Sequence, residues 1–136
     1  AVDDNEVYVA RTFYDENWVS FHGSSKISQS EITMKNYGVG TACGGSIMKH
    51  RNEVYRSFDG GIATLDFELN INTASKIGSY DQSQVYSTEV IGDYIYFGIT
   101  NYVDVNQVRI MDFNNNEIGT YDVGISPGDF AVWRSE

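Results

Sequence analysis

A threefold internal repeat constrains the fold of this chain more than any other feature. Three short stretches align: Trp18-Val19-Ser20-Phe21, Thr64-Leu65-Asp66-Phe67 and Ile110-Met111-Asp112-Phe113. Their phenylalanines are spaced 46 residues apart in both intervals. A period of this length is typical of proteins built from repeated supersecondary units. The 136 residues therefore form one domain of three repeats, with boundaries near 1–48, 49–90 and 91–136.

Each repeat has the pattern of short strands joined by tight turns. Asn5-Glu6-Val7-Tyr8 recurs as Asn52-Glu53-Val54-Tyr55 and, more loosely, as Asp93-Tyr94-Ile95-Tyr96. A polar turn followed by alternating β-branched and aromatic residues is typical of a half-buried strand. A further strand is expected at 75–80, at 116–121 and, more weakly, at Glu31–Met34. No segment repeats apolar residues with helical spacing, so we predict an all-β fold of about four strands per repeat and essentially no helix.

The chain closes on "EIGTYDVGISPGDFAVW", from Glu117 to Trp133, which holds its only proline, Pro127. The part from Val123 to Gly128 matches the earlier run from Val39 to Gly44, and an apolar segment follows both. This match predicts a last strand at Asp129–Trp133 whose partner lies elsewhere in the fold.

The third copy, "GDYIYFGITNYVDVNQVRIMDFNNNEIGTYDVGISPGDFAV", resembles the YVTN-type β-propeller repeat of bacterial surface and periplasmic proteins along its whole length. The second copy keeps two of the strands and the polar turn, whereas the first departs between Gly23 and Tyr37. The resemblance implies three four-stranded, propeller-like blades and a secreted, periplasmic or cell-surface location. It also implies that the chain starts on the second strand of a blade, and that Asp129–Trp133 is a spare innermost strand.

Three blades are too few for a closed ring, because closed propellers have four to eight. Two interpretations follow. Two chains could pair as a homodimer and exchange the terminal strand to close a six-bladed ring, or the chain is a fragment of a longer propeller. The alternative fold is a β-trefoil, which also has three repeats of about four strands and needs no partner. Against it, no Gln-x-Trp motif is present, and Trp18 and Trp133 are not at equivalent positions.

The net charge of −10 limits the partners that this chain can bind. A charge of that sign repels nucleic acid and anionic membranes, and no basic stripe offsets it. Cys43, His22 and His50 are too few for a zinc site. No run is long enough to span a membrane. We expect no cofactor, and a neutral sugar, a cation or a small molecule is the easier ligand; Cys43 is interpreted as a small turn residue.

One loop position repeats a charged or polar residue, an aromatic residue and an aspartate in all three copies. The candidate ligand-binding residues are Arg11, Tyr14, Asp15, Arg56, Phe58, Asp59, Tyr102 and Asp104. Aromatic rings beside carboxylates suit a sugar or a cation, since the ring stacks and the carboxylate fixes hydroxyls or charge. A turn aspartate paired with a nearby arginine, beside a packed aromatic ring, explains the same pattern and is favoured.

No sequence motif indicates catalysis, so the favoured function is a non-catalytic binding or scaffold module. Such a module would present loops on one face of a ring to a small ligand, glycan or protein. The alternatives are a trefoil-like carbohydrate-binding lectin and a fragment or subunit of a propeller hydrolase or lyase. The expected inner strands, at 46–48, 85–87 and 130–133, carry no His or Glu, which disfavours an enzyme. His22 and His50 are predicted to be solvated or hydrogen-bonded, and Asp112–Gly119 to form a tight turn and not a calcium loop.

Overall fold

The computed structural model describes residues 1–3, 5–40, 45–104 and 106–133, and these residues are folded entirely as strands, turns and loops. The predicted all-β class is confirmed for this part of the chain, as is the absence of helix. No helix long and apolar enough to cross a membrane occurs among these residues. Cys43 lies outside the described residues, so its interpretation as a turn residue stays a prediction.

The strands form three antiparallel sheets, each with its strands side by side in chain order. The first sheet holds β1 (Val2–Asp3), β2 (Glu6–Tyr14), β3 (Ser20–Ser28) and β4 (Glu31–Val39); the second holds β5 (Ile47–His50), β6 (Glu53–Phe58), β7 (Gly61–Leu65) and β8 (Ile71–Ile77); the third holds β9 (Val85–Ile91), β10 (Tyr94–Ile99), β11 (Asn106–Asp112) and β12 (Glu117–Val123). Four strands per repeat were predicted, although β1 is only two residues long.

Two local predictions are wrong. Trp18 does not lie in a strand equivalent to the one ending at Leu65; it occupies the turn between β2 and β3 at φ 62° and is 82% exposed. The cause is the length of β2, which has nine residues against six in β6 and so moves the first turn along the chain. The first strands of the second and third sheets are also longer than expected, and they include His50 and Glu89.

The second sheet lies between the other two and packs one face against each of them. Successive side chains of a strand point to opposite faces, so one strand of this sheet contacts both neighbours. In β6, Val54 packs with Tyr8 of the first sheet, whereas the neighbouring Tyr55 packs with Ile95 and Phe97 of the third sheet. Near the start of β6, the contacts of the second sheet with the first and with the third sheet are both apolar. The core of the molecule is therefore two layers of side chains, one on each side of the second sheet.

Turns capped by aspartate close the outer hairpins of the second and third sheets. Asp112 Oδ1 accepts hydrogen bonds from the backbone N–H of Asn114 (2.9 Å) and Asn116 (2.8 Å). Asp66 makes the equivalent bonds with Glu68 and Asn70. Hydrogen bonds from the Asn116 side chain, followed by those from the backbone, lower the pKa of Asp112. The carboxylate is thus used to hold the turn, as predicted for Asp112–Gly119.

The closing segment does not form the strand predicted at Asp129–Trp133. It crosses the outer face of the third sheet instead. The Ser87 hydroxyl donates to the carbonyl of Pro127, and the Phe130 ring lies 5.8 Å from the Tyr96 ring. A strand needs a hydrogen-bonded neighbour, and residues 129–133 pair with no described strand.

A pH-dependent contribution to stability is expected from Tyr55, whose hydroxyl donates to Glu53 Oε2 at 2.6 Å. Burial first, and the hydrogen bond to Glu53 second, raises the pKa of Tyr55 to about 12. Because this folded-state value lies above the unfolded value of about 10, the stabilisation is complete below pH 10 and is lost as the pH rises toward 12. Urea unfolding at several pH values should therefore show a smaller alkaline loss of stability for Tyr55→Phe than for the wild type. Tyr121→Phe, at a residue that is 59% exposed, should follow the wild-type curve; an equal loss in all three proteins would contradict the assignment.

Candidate functional site

The candidate site is a pocket of about 230 Å³ between the first and second sheets. Side chains that point toward each other from two facing strands, β3 and β6, form this pocket. From β3, His22, Ser24 and Lys26 point toward the second sheet, and from β6, Arg56 and Phe58 point back toward the first. The lining residues are His22, Arg56, Ser57, Phe58, Asp59, Ile71 and Gln82. The inter-sheet contact is therefore polar here, whereas the contact between the second and third sheets is apolar.

Arg56 is the most deeply buried of these side chains, with 1% of its surface exposed. Its Nη1 donates to Ser24 Oγ at 2.9 Å, and its guanidinium carbon lies 5.0 Å from the centre of the Tyr37 ring. Tyr37 in turn donates its hydroxyl hydrogen to the carbonyl of Leu69 at 2.7 Å, which fixes the ring. Burial lowers the pKa of Arg56, although an arginine stays protonated under all ordinary conditions.

His22 begins the polar row on β3 and also lines the pocket. Its Nδ1 is buried and has no hydrogen-bond partner in the part of the chain that the structure describes. Burial, with the nearby Arg56 charge as the smaller cause, lowers the pKa of His22, so the ring is neutral near pH 7. Within the described residues, the predicted hydrogen bonding of this histidine is not found at Nδ1.

Lys26, the next cation on the same face of β3, is fully compensated. Its Nζ donates to the carbonyl of Phe67 at 3.0 Å, lies 3.0 Å from the centre of the Phe67 ring and is 3.4 Å from a Glu6 carboxylate oxygen. Lys26 thus has the carboxylate partner that a buried charge usually has. Among the described residues, Arg56 at the same interface is contacted by a hydroxyl and an aromatic ring and has no carboxylate partner.

The structure brings three of the eight predicted site residues together. Arg56, Phe58 and Asp59 all line the pocket. Asp59 stands at the turn and pairs with Lys76 Nζ at 2.5 Å, so its partner is a lysine and not the expected arginine.

The first-sheet candidates lie apart from this pocket. Arg11 is on the outer face of the first sheet, where its Nη1 donates to Ser25 Oγ at 3.1 Å. Tyr14 is 57% exposed and lies 6.1 Å from the Trp18 ring. Asp15 Oδ1 accepts the backbone N–H of Val19 at 2.9 Å and so holds the turn.

The third-sheet candidates are separate as well. Tyr102 is 55% exposed and its ring lies 6.1 Å from that of Tyr86. Asp104 accepts a hydrogen bond of 3.2 Å from the Asn101 side chain. The three loops are at corresponding turns of the three sheets, but their side chains do not share one site.

Sequence reasoning missed His22, Ser57, Ile71 and Gln82 as pocket residues and Ser24 and Tyr37 as supports of Arg56. One signal was present: "SFHGSSKIS" places His, Ser and Lys on the face of β3 that a simple alternation would fill with apolar residues. His50, in contrast, stacks on Phe113 with ring centres 3.9 Å apart and is 3.6 Å from Asp93. Among the described residues, no group of three or more His, Cys, Asp or Glu side chains is arranged to hold a metal ion.

No protein family, curated protein or solved structure gives a significant match to this chain.

Proposed function

We propose that this chain is a non-catalytic binding or scaffold module of the β-propeller type. Its three sheets would form part of a ring that presents loops at one end to a small ligand, a glycan or a protein. One observation carries the proposal: the second strand of the middle sheet packs one side chain against each neighbouring sheet, whereas the matching outward side chains of the first and third sheets have no neighbouring sheet among the described residues.

The repeated valine and tyrosine of the second strands make this relation visible. Val54 faces the preceding sheet and Tyr55 faces the following one, and both are buried. Val7 holds the position of Val54 in the first sheet, yet it is 39% exposed because no sheet precedes it. Tyr96 holds the position of Tyr55 in the third sheet, where its ring lies near that of Phe130 in the closing segment.

The outer face of the first sheet exposes several large apolar side chains to solvent. Four neighbouring side chains on β2 and β4 point to this face, namely Val7, Val9, Ile32 and Met34. Their exposed fractions are 39%, 40%, 62% and 64%. Contiguous apolar surface of this kind marks interaction sites. A second copy of the chain would meet this surface with the outer face of its third sheet, on which the closing segment lies. Two copies bring the number of blades to six, within the range of closed rings.

The strand order also supports a propeller over a trefoil. Each sheet is a simple meander of consecutive strands, and among the described residues no strand pairs with a strand of another repeat. In a trefoil, strands of neighbouring repeats pair with each other to close a barrel.

The assembly is tested by size-exclusion chromatography with light scattering over a dilution series. We expect the mass of two chains at high concentration. Ile32→Glu places a charge on the outer face of the first sheet and should shift the protein to one chain. Ala74→Glu, on the exposed edge strand of the second sheet, is the matched control and should leave the mass unchanged. A folded wild type with the mass of one chain at every concentration would contradict assembly from two copies.

A further inference from the structure

A buried arginine without an acidic partner is unusual, because the cost of removing a charge from water is normally offset by a nearby counter-charge. The ion pairs of the described residues involve Lys26, His50, Arg51, Lys76 and Arg109 as the cations. Arg56 is not among them, although it is 1% exposed. The two groups that hold it, the Ser24 hydroxyl and the Tyr37 ring, offer partial charges only. Among the described residues, this buried cation therefore has no ion-pair partner.

The pocket beside Arg56 can admit that charge. Ser57 and Gln82 add polar groups to its wall, and the Nδ1 atom of His22 remains buried without a partner in the described structure. Phe58 and Ile71 add an apolar wall. A buried cation at the wall of a pocket, next to apolar surface, suits a ligand that has one charged end and a hydrocarbon part.

The surroundings restrict the ligand to a single negative charge and a small size. Asp59 stands on the pocket lining, and the chain carries a net charge of −10. Both disfavour a dianion such as phosphate at neutral pH. The planar guanidinium matches the two oxygens of a carboxylate. The pocket volume of about 230 Å³ is below the usual range for drug-sized ligands.

We propose that the pocket between the first and second sheets binds a small monocarboxylate, whose carboxylate group pairs with Arg56 and whose hydrocarbon part lies against Phe58 and Ile71. The inference deepens the proposed binding function and rests on it, since it names the ligand class of one of its sites. The pocket lies within one chain, so it can be tested apart from the assembly of two chains.

The test is an NMR titration of the full chain with sodium propionate at constant ionic strength and pH 7. The neutral isostere propionamide and inorganic phosphate are titrated in parallel, and light scattering records the mass of the same samples. We expect saturable shifts of the His22 ring signals with propionate, weaker shifts with phosphate and none with propionamide.

Two matched variants assign the effect to Arg56. Arg11 occupies a comparable place in the first sheet, where it also donates to a serine hydroxyl and lies over an aromatic ring, that of Phe13. Arg56→Met should weaken propionate binding by about tenfold or more, as expected for the loss of a charged hydrogen-bonding partner, and Arg11→Met should leave it unchanged. Arg56→Lys, which keeps the charge and loses the planar fork, should bind with intermediate affinity and covers the case in which Arg56→Met does not fold.

Three results would overturn the proposal. The first is the absence of saturable shifts with propionate, and the second is equal shifts with propionamide. The third is tighter binding of phosphate than of propionate, which would assign the pocket to another class of anion. If propionate does not bind while the measured mass is that of two chains, the proposed ligand is refuted and the proposed assembly stands. If propionate binds while the mass is that of one chain, the assembly is refuted and the ligand stands.

Discussion

Replacing Phe97 with alanine should lower the free energy of unfolding by about 3–5 kcal/mol, as for other buried phenylalanines. Phe97 is fully buried, at 0% exposure, and lies in the apolar layer between the second and third sheets. The Tyr80 ring meets it edge-on with centres 5.0 Å apart. Its ring tip reaches the backbone of Gly78, where an added Cβ would be 3.1 Å away. Truncation would leave a cavity that neither sheet can close without moving.

Urea unfolding measured on three variants tests this expectation. Phe97→Leu keeps most of the volume and should cost clearly less than Phe97→Ala. Ile118→Ala, at a residue that is 51% exposed, should cost less than about 1 kcal/mol. Equal losses for Phe97→Ala and Ile118→Ala would show that the apolar layer between the second and third sheets is not the main core.

Gly60→Ala should cost about 3 kcal/mol or more, because a positive φ, a backbone clash and two hydrogen bonds are involved together. Gly60 has φ 73°, and a Cβ at this position would lie 1.7 Å from the carbonyl oxygen of Tyr80. The Gly60 carbonyl accepts the backbone N–H of Tyr80 at 2.9 Å, and its own N–H donates to Gln82 Oε1 at 2.7 Å. Both bonds would be strained, and the pocket wall formed by Asp59 and Gln82 would move with them.

Gly92→Ala is the matched control for Gly60→Ala. Gly92 has nearly the same backbone conformation, at φ 63°, but nothing lies within 4 Å of an added Cβ. Its substitution should cost only about 1 kcal/mol, the conformational penalty alone. The difference between the two variants in thermal or urea unfolding isolates the clash, and similar costs would contradict the close approach of the 78–82 segment to the Asp59–Gly60 turn.

The repeated strands were predictable because the residues of each strand carry the pattern that identifies it. A polar turn followed by an alternation such as Val54 and Tyr55 needs no knowledge of distant contacts, and the structure has a strand at each such place. Strand ends were less predictable. The turn after β2 comes later than its counterparts, so Trp18 was assigned to a strand when it lies in a turn. The prediction for the closing segment was wrong for another reason. A strand at Asp129–Trp133 depends on a hydrogen-bonded neighbour, which the local sequence pattern does not reveal.

The candidate site was predicted in part. Arg56, Phe58 and Asp59 were chosen for their pattern and do line one pocket. Their counterparts Tyr14 and Tyr102 have the same local pattern and do not line that pocket. His22 was assigned an ordinary role because its significance depends on the second sheet lying over it, with Arg56 34 residues further along the chain.

Arg11 and Arg56 show what the sequence by itself determined and what only the tertiary structure decided. The sequence determined that both lie on second strands of four-stranded repeats and face the preceding side, because alternation along a strand is a local property. Only the packing of the sheets decided that Arg56 is buried against Ser24 and Tyr37, whereas Arg11 has no sheet in front of it. The physical reason is that burial, and with it the cost of an unpaired charge, depends on surfaces brought together from distant parts of the chain.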